Sequence, residues 1–393
     1  MSDTAIKSFH HRIESERILC RKKGVKTNPS IIIFGGIHGN EQAGIHGLKK
    51  IIQKIDNEDI EIKGNFYAIA GNLNALKKNI RFEVADLNRI WTDDHVNVIN
   101  GSNKELETEE KEQSELYYII KEILATDKGP FYFIDLHTTS SETIPFVTIS
   151  DSLNNRKFAR NFSIPVVLGI EEYLDGPLLT YINEYGHISL GFEAGQHNNA
   201  QSIINCEAFI WQSLVYSGCI DKKEIKNYES YQQILTSHSK HNGFFEIDFH
   251  YFLKDTEEFM MINGFDNFDA IQKHQVLALS NNIEVKAIMN GQIFMPLYQD
   301  QGKDGFFIIT KISRVWLQLS SVARKLKLHH LLRILPGIKQ DPIYKYALVV
   351  NPKTAKFLAT EIFHLFGYRK KVVRDNKLHF IKRDRKVIEF NHD

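Results

Sequence analysis

The sequence predicts an α/β domain with a largely parallel or mixed sheet flanked by helices, then a smaller all-β domain and an α+β C-terminal extension. Three observations predict it. Apolar, β-rich runs ending at small or polar residues alternate with helical patterns over residues 1–225. Turn signals then recur between short strands (Asn263-Gly264, Asn281-Asn282, Asn290-Gly291, Asp304-Gly305) up to Ile312. The pattern changes again at Ser313, so the expected units are 1–225, 240–312 and 313–393. The 393 residues exceed the roughly 250 to 300 at which single cores stop growing.

In the first unit, strands are expected at Ser30 to Phe34, Asn65 to Ala70, Phe131 to Leu136, Pro145 to Ser150 and His187 to Phe192. Helices are expected at Glu41 to Lys54, Glu107 to Leu124, Ser152 to Asn161 and Ala200 to Ser217, the last with apolar residues at helical spacing. Asp221 to Asn242 is polar and weakly periodic and reads as a connection. In the third unit, Val315 to Leu335 reads as a basic amphipathic helix closed by Pro336-Gly337. Tyr346 to Lys382 reads as strand, helix and two strands around Asp375-Asn376.

Hydrophobic residues at 42% and charged residues at 25% match soluble globular averages, which excludes disordered and collagen-like classes. The longest apolar stretches, such as Ile31 to Ile37, fall short of the roughly 20 residues that a membrane span needs. The N-terminal MSDTAIKSFHHRIESE shows neither an apolar h-region nor a small-residue cleavage site. Cys20, Cys206 and Cys219 form no C-x-x-C pair, so they read as buried free thiols in a reducing cytoplasm. The net charge of +1 hides an asymmetry: residues 314–393 hold 18 Lys or Arg against 6 Asp or Glu. No nucleic-acid motif accompanies that excess, so it reads as a solvated face or an intersubunit contact of a homo-oligomer.

The strand Ser30 to Phe34 runs into Gly35-Gly36-Ile37-His38-Gly39-Asn40-Glu41, placing a histidine and a carboxylate three residues apart at a strand's carboxyl end. Imidazole and carboxylate suit Zn²⁺. Alone the spacing is weak, since 17 histidines give about one such match by chance. A second strand ends in Phe133-Ile134-Asp135-Leu136-His137, supplying a further imidazole with Asp135 to orient it. Open α/β sheets place sites at the carboxyl ends of strands, so His38, Glu41 and His137 can converge on one ion and leave a fourth position for water. A third strand carries Glu193 in Gly191-Phe192-Glu193-Ala194-Gly195, a carboxylate able to take a proton from zinc-bound water, whose pKa falls to about 7. A polar loop carries Arg81, Asn88 and Arg89, cations and an amide suited to an oxyanion and a substrate carboxylate.

Taken in order, GGIHGNE, the arginine seven residues before the Asn-Arg pair of DLNR, IDLHT and FEAG resemble the succinylglutamate desuccinylase and aspartoacylase family of the zinc carboxypeptidase superfamily. The resemblance covers roughly Ile31 to Ile312. It implies a zinc carboxypeptidase-like sheet, one zinc on His38, Glu41 and His137, Glu193 as general base, Arg81 polarising the scissile carbonyl, and Asn88 with Arg89 gripping a substrate carboxylate. The implied activity is hydrolysis of an N-acyl amino acid or similar small amide by zinc-bound water. Two departures stand against N-acetylaspartate itself: Tyr181 to Ile188 holds no arginine, and Phe306-Phe307 stands near the position of a family tyrosine. His197 follows the base closely and is a further candidate for substrate contact.

The stretches Lys273 to Ala278 and Ile293 to Pro296 resemble a lipoyl or biotinyl carrier, but no lysine occupies the tip beside Met295. A lid or partner surface over the active site is the preferred reading. Two alternative functions share these residues: a metallocarboxypeptidase acting on peptides or polyglutamyl chains, and a non-catalytic scaffold with a vestigial site.

Overall fold

The computed structural model describes residues 16–101, 106–237, 242–299, 301–351, 360–374 and 377–390. The first eight strands are β1 Ile18–Lys22, β2 Ser30–Gly35, β3 Asn65–Ala70, β4 Phe131–Thr139, β5 Phe146–Ile149, β6 Val166–Leu168, β7 Ile188–Gln196 and β8 Phe244–Phe252. They are followed by β9 Phe259–Met261, β10 Ala270–Ile271, β11 Val276–Ser280, β12 Ile283–Lys286, β13 Gly291–Phe294 and β14 Asp304–Lys311. Eleven of them make one mixed sheet in the order β1-β3-β2-β4-β7-β5-β6-β8-β14-β13-β10. The strands β3, β2, β4 and β7 run parallel, so their carboxyl ends lie side by side.

The centre of this sheet is apolar on both faces, as parallel strands covered by helices must be. In β2 the alternation divides cleanly. Ile31 and Ile33 pack with Leu48, Ile51 and Phe209, from helices Ala43–Asn57 and Ala200–Ser217. Ile32 and Phe34 pack with Leu116, Ile120 and Leu178, from helices Thr108–Thr126 and Leu178–Glu184. The expected elements of the first unit form with shifted ends. The shifts matter: β4 and β7 run past Leu136 and Phe192, so that His137 and Glu193 sit within the ladder, paired across it.

The sheet continues without interruption through β8, β14 and β13 into the β-rich segment. Beside it β12, β11 and β9 form a three-stranded sheet, in which Asn281 and Asn282, both at positive φ, make the two-residue hairpin between β11 and β12. The C-terminal segment forms a four-stranded sheet ordered β15-β16-β18-β17, from β15 Ile338–Gln340, β16 Ala347–Val350, β17 Tyr368–Arg374 and β18 Lys377–Lys382. The expected turn at Asp375-Asn376 lies outside the described residues.

Two expectations are corrected. The connection expected over Asp221 to Asn242 contains a helix, Tyr228–Thr236, whose Tyr228 and Leu235 are buried in the main core. Its polar residues conceal the two apolar anchors that dock it on helix Ala200–Ser217. The single helix expected over Val315 to Leu335 is broken: an α-helix spans Arg314–Lys325, Lys327 takes φ 56, and a 3₁₀ segment spans Leu328–Ile334. The break turns Leu332 into the core of the small C-terminal sheet, contact that a straight helix would forgo. Among the described residues no helix is long and apolar enough to cross a membrane.

Candidate metal and active site

The turn after β2 is built for close approach. Gly36 has φ +71, and a Cβ there would meet Leu76 Cδ2 at 2.7 Å. At Gly39 a Cβ would lie 2.1 Å from the backbone carbon of Ala75, so only glycine fits against the helix Leu73–Lys78. The chain thereby folds back before helix Ala43–Asn57 begins, leaving Glu41 outside that helix with its N–H donating to the carbonyl of His38 at 3.1 Å. His38 and Glu41 are buried there.

Three expected ligands come together. Glu41 Oε1 lies 2.8 Å from His38 Nδ1, and Glu41 Oε2 lies 3.0 Å from His137 Nδ1. Ligand atoms of His38, Glu41 and His137 all fall within 4.8 Å of one another, a group able to hold a metal ion. The outer nitrogens are anchored by carboxylates: His38 Nε2 is 3.0 Å from Asp86 Oδ1, and His137 Nε2 is 2.6 Å from Asp135 Oδ2. Such partners fix ring orientation and raise ligand basicity, the arrangement seen around metal-bound histidines. The N–H of Thr138 donates to Glu41 Oε2 at 3.0 Å.

The charges explain why the donor set fits a cation. Four carboxylates, from Glu41, Asp86, Asp135 and Glu193, surround two imidazoles, and Arg81 is the cation bonded among them. Burial alone would raise Glu41, yet His38 and His137 hold its carboxyl well below the usual range. Asp86 is likewise held low against its burial, by His38 and Arg81. His137 is raised well above its ordinary value despite burial, by Asp135 and Glu41. Glu193 is different: burial pushes it up to about 8, with His137 opposing, and its Oε2 is buried without a hydrogen-bond partner.

Arg81 donates through Nη2 to Asp86 Oδ2 at 3.0 Å, and its Nη1 lies 3.4 Å from Glu41 Oε1. Asn88 and Arg89 stand in a 3₁₀ turn capped by Asp86. Asn88 Oδ1 accepts from the N–H of Leu178 at 2.9 Å, while Arg89 Nη2 donates to Asp304 Oδ2 at 3.0 Å. All seven expected site residues line one pocket. His197 lines it too, its Nδ1 2.7 Å from Thr138 Oγ1, and burial lowers its pKa.

The inner wall is apolar and hydroxylic, with Ile149, Leu174, Thr148 and Thr180 among its residues. The outer wall comes from the β-rich segment: Met295, Pro296, Leu297 and Gln299. Sequence reasoning missed two participants. Asp86 stands inside the quoted DLNR motif, and its signal was a carboxylate three residues before Arg89. Asp304 was read only as part of a turn with Gly305; its pairing with Arg89 and with His250 Nε2, at 2.9 Å, bridges 215 and 54 positions.

Residues 27–206 match the family model of the succinylglutamate desuccinylase/aspartoacylase catalytic domain. The succinylglutamate desuccinylase of Photorhabdus laumondii subsp. laumondii is 31% identical over 111 residues, 28% of this chain and 34% of that protein. That of Pseudomonas paraeruginosa is 29% identical over 83 residues, 21% of this chain and 24% of that protein. The chain thus spans about a third or less of the length of these curated relatives. Among solved structures, the succinylglutamate desuccinylase of Vibrio cholerae superposes with TM-score 0.53 at 17% identity, covering 73% of this chain and 83% of that one. A succinylglutamate desuccinylase/aspartoacylase from Rhodobacter sphaeroides gives 0.55 at 13% identity, covering 75% and 88%. These likenesses establish a shared fold, and residues 27–206 are similar to the catalytic domain of the succinylglutamate desuccinylase/aspartoacylase family.

Proposed function

We propose that the chain is a zinc-dependent amidohydrolase that hydrolyses the amide bond of an N-acyl amino acid or a similar small amide. The observation that carries this reading is the buried group His38, Glu41 and His137 beside Glu193, a carboxylate with an uncommitted oxygen on the neighbouring strand. Two imidazoles and one carboxylate form the ligand set of an open zinc site. When bound there, the ion supplies Lewis-acid polarisation and lowers the pKa of water to about 7.

The chain's own groups divide the remaining work. Glu193 takes a proton from the attacking water and delivers it to the departing nitrogen, so that a C–O bond forms as the C–N bond breaks. Arg81, fixed by Asp86, steadies negative charge on the carbonyl oxygen. Arg89 and the Nδ2 amide of Asn88 hold the carboxylate of the amino-acid portion. Asp135 and Asp86 keep the two imidazoles oriented. The wall formed by Met295 to Leu297 and Gln299 favours a small substrate over a peptide chain.

Amine release measured with ninhydrin over a panel of N-succinyl and N-acetyl amino acids, beside short peptides, tests the reading. Turnover of an N-acyl amino acid is expected. Cleavage of peptides alone would shift the assignment to a carboxypeptidase, and no turnover with added zinc would shift it to a non-catalytic scaffold.

A further inference from the structure

We propose that a recess between the C-terminal segment and the catalytic sheet binds a small phosphate-bearing ligand, with Arg383 at its base and lysines around its rim. On one side the recess is bordered by Ser152, Asn154, Asn183 and Gly186 of the catalytic domain. On the other stand Lys325, Lys327, Lys382, Arg383, Arg385 and Lys386. The carboxylate lining it, Asp384, is already committed: it accepts from Arg324 Nε at 2.7 Å and from the N–H of Leu153 at 2.8 Å.

Arg383 is the decisive residue. It is 1% exposed, yet Nε, Nη1 and Nη2 all lack a hydrogen-bond partner among the described residues. Glu171 Oε1 and Glu184 Oε1 each stand 3.6 Å away, close enough for charge attraction and too far for a good hydrogen bond. A buried guanidinium with its donors unspent is costly and calls for an acceptor. Of the flanking cations, Arg385 donates through Nη1 to the Glu184 carbonyl at 3.3 Å and lies 3.9 Å from its carboxylate. Lys382 Nζ lies 3.1 Å from His329 Nε2, an imidazole rather than a carboxylate. The guanidinium of Arg385 sits over the ring of Tyr346 at 3.7 Å. Burial lowers Lys382 against the opposing pull of Asp384, with Arg324 and Lys327 adding to the lowering, and burial with Lys382 beside it holds His329 down to about 4.

The chemistry of the ligand follows from this arrangement. A planar fork at the base with several ammonium groups around it suits a phosphoryl group, which brings close to two negative charges and three acceptor oxygens where a carboxylate brings one charge and two. The recess is concave and walled on both sides, which suits a small molecule; a polymer would be met by an exposed stripe. It also lies apart from the catalytic pocket, although the helix Leu178–Glu184 borders both, with Thr180 on one and Asn183 on the other.

Calorimetric titration of the full chain with inorganic pyrophosphate at low salt tests the site without reference to turnover. Saturable binding to one site per chain is expected. It should weaken about tenfold or more in K325E/K386E, whose exposed positions leave the fold intact by circular dichroism. Arg383→Gln should remove it, and the lysine variant keeps the test decisive if that buried change fails to fold. Absent binding, equal affinity in the lysine variant, or citrate binding as tightly as pyrophosphate would overturn the proposal. So would binding of a short RNA duplex or phosphatidylglycerol vesicles that pyrophosphate does not displace.

Discussion

Two buried charge clusters, one around His137 and one around Asp151, are built in opposite senses. Around His137 the carboxylates outnumber the cations, and the inner imidazole nitrogens converge on Glu41. Around Asp151, itself 0% exposed, three arginines converge, one local and two from distant parts of the chain: Arg156 Nη2 at 2.8 Å, Arg324 Nη1 at 3.2 Å and Arg369 Nε at 2.8 Å. Arg369 is balanced in turn by Glu172 at 2.9 Å and Glu246 at 3.4 Å. The second cluster is neutralised by its own side chains and locks the C-terminal segment to the catalytic domain. The first gathers its carboxylates around two imidazoles and one guanidinium, a donor set able to hold a metal ion.

That contrast can be broken most sharply at Glu193. Glu193→Gln is expected to lower kcat by about two to four orders of magnitude while zinc content stays at the wild-type level, because the base is removed and the ligands remain. Activity retained in that variant would remove Glu193 as the base. Next in size, Asp151→Ala should destabilise the fold by about 3 to 5 kcal/mol, since three arginines lose their shared partner, with metal content per folded chain unchanged. Urea unfolding measures it, and a loss below about 1 kcal/mol, the scale of a surface pair, would contradict the locking role.

Asp135→Asn sharpens the comparison from the metal side. The amide cannot hold His137 as a carboxylate does, and chelator competition should show metal affinity reduced about 10- to 100-fold. Unchanged affinity would demote Asp135 to a packing residue. The smallest effect concerns acid stability. Burial opposes ionisation of Glu172, but His364 and Arg369 hold its pKa at about 2 against an ordinary 4.5. Its folded pKa is therefore the lower one, so its contribution is complete above pH 4.5 and is lost as the pH falls toward 2. Urea midpoints at pH 7, 4 and 3 should fall more steeply in the wild type than in Glu172→Gln; parallel slopes would contradict the assignment.

The candidate site was legible in the sequence because His38, His137 and Glu193 lie at or just past the end of an apolar run. Ile31 to Phe34, Phe133 to Leu136 and Leu190 to Phe192 announce parallel strands, and their register brings His38, His137 and Glu193 together. The Asp151 cluster was not legible, since nothing local marks a pairing between Asp151 and Arg369, 218 positions apart. Asp304 escaped for the same reason: its partner Arg89 lies in a 3₁₀ turn 215 positions earlier. The break at Lys327 was hidden by a periodicity that persists across it, because helical spacing records which residues are apolar and not whether tertiary contact bends the chain between them.

The proposed function rests on a catalytic zinc ion held by His38, Glu41 and His137. Metal analysis of the purified full chain, wild type beside His137→Ala, tests it most directly when amine release is followed on the same preparations. The account predicts about one zinc per chain in the wild type, with metal and activity lost together in the variant, as an open three-ligand site requires. A wild-type chain that neither binds zinc nor gains activity when zinc is supplied would contradict it.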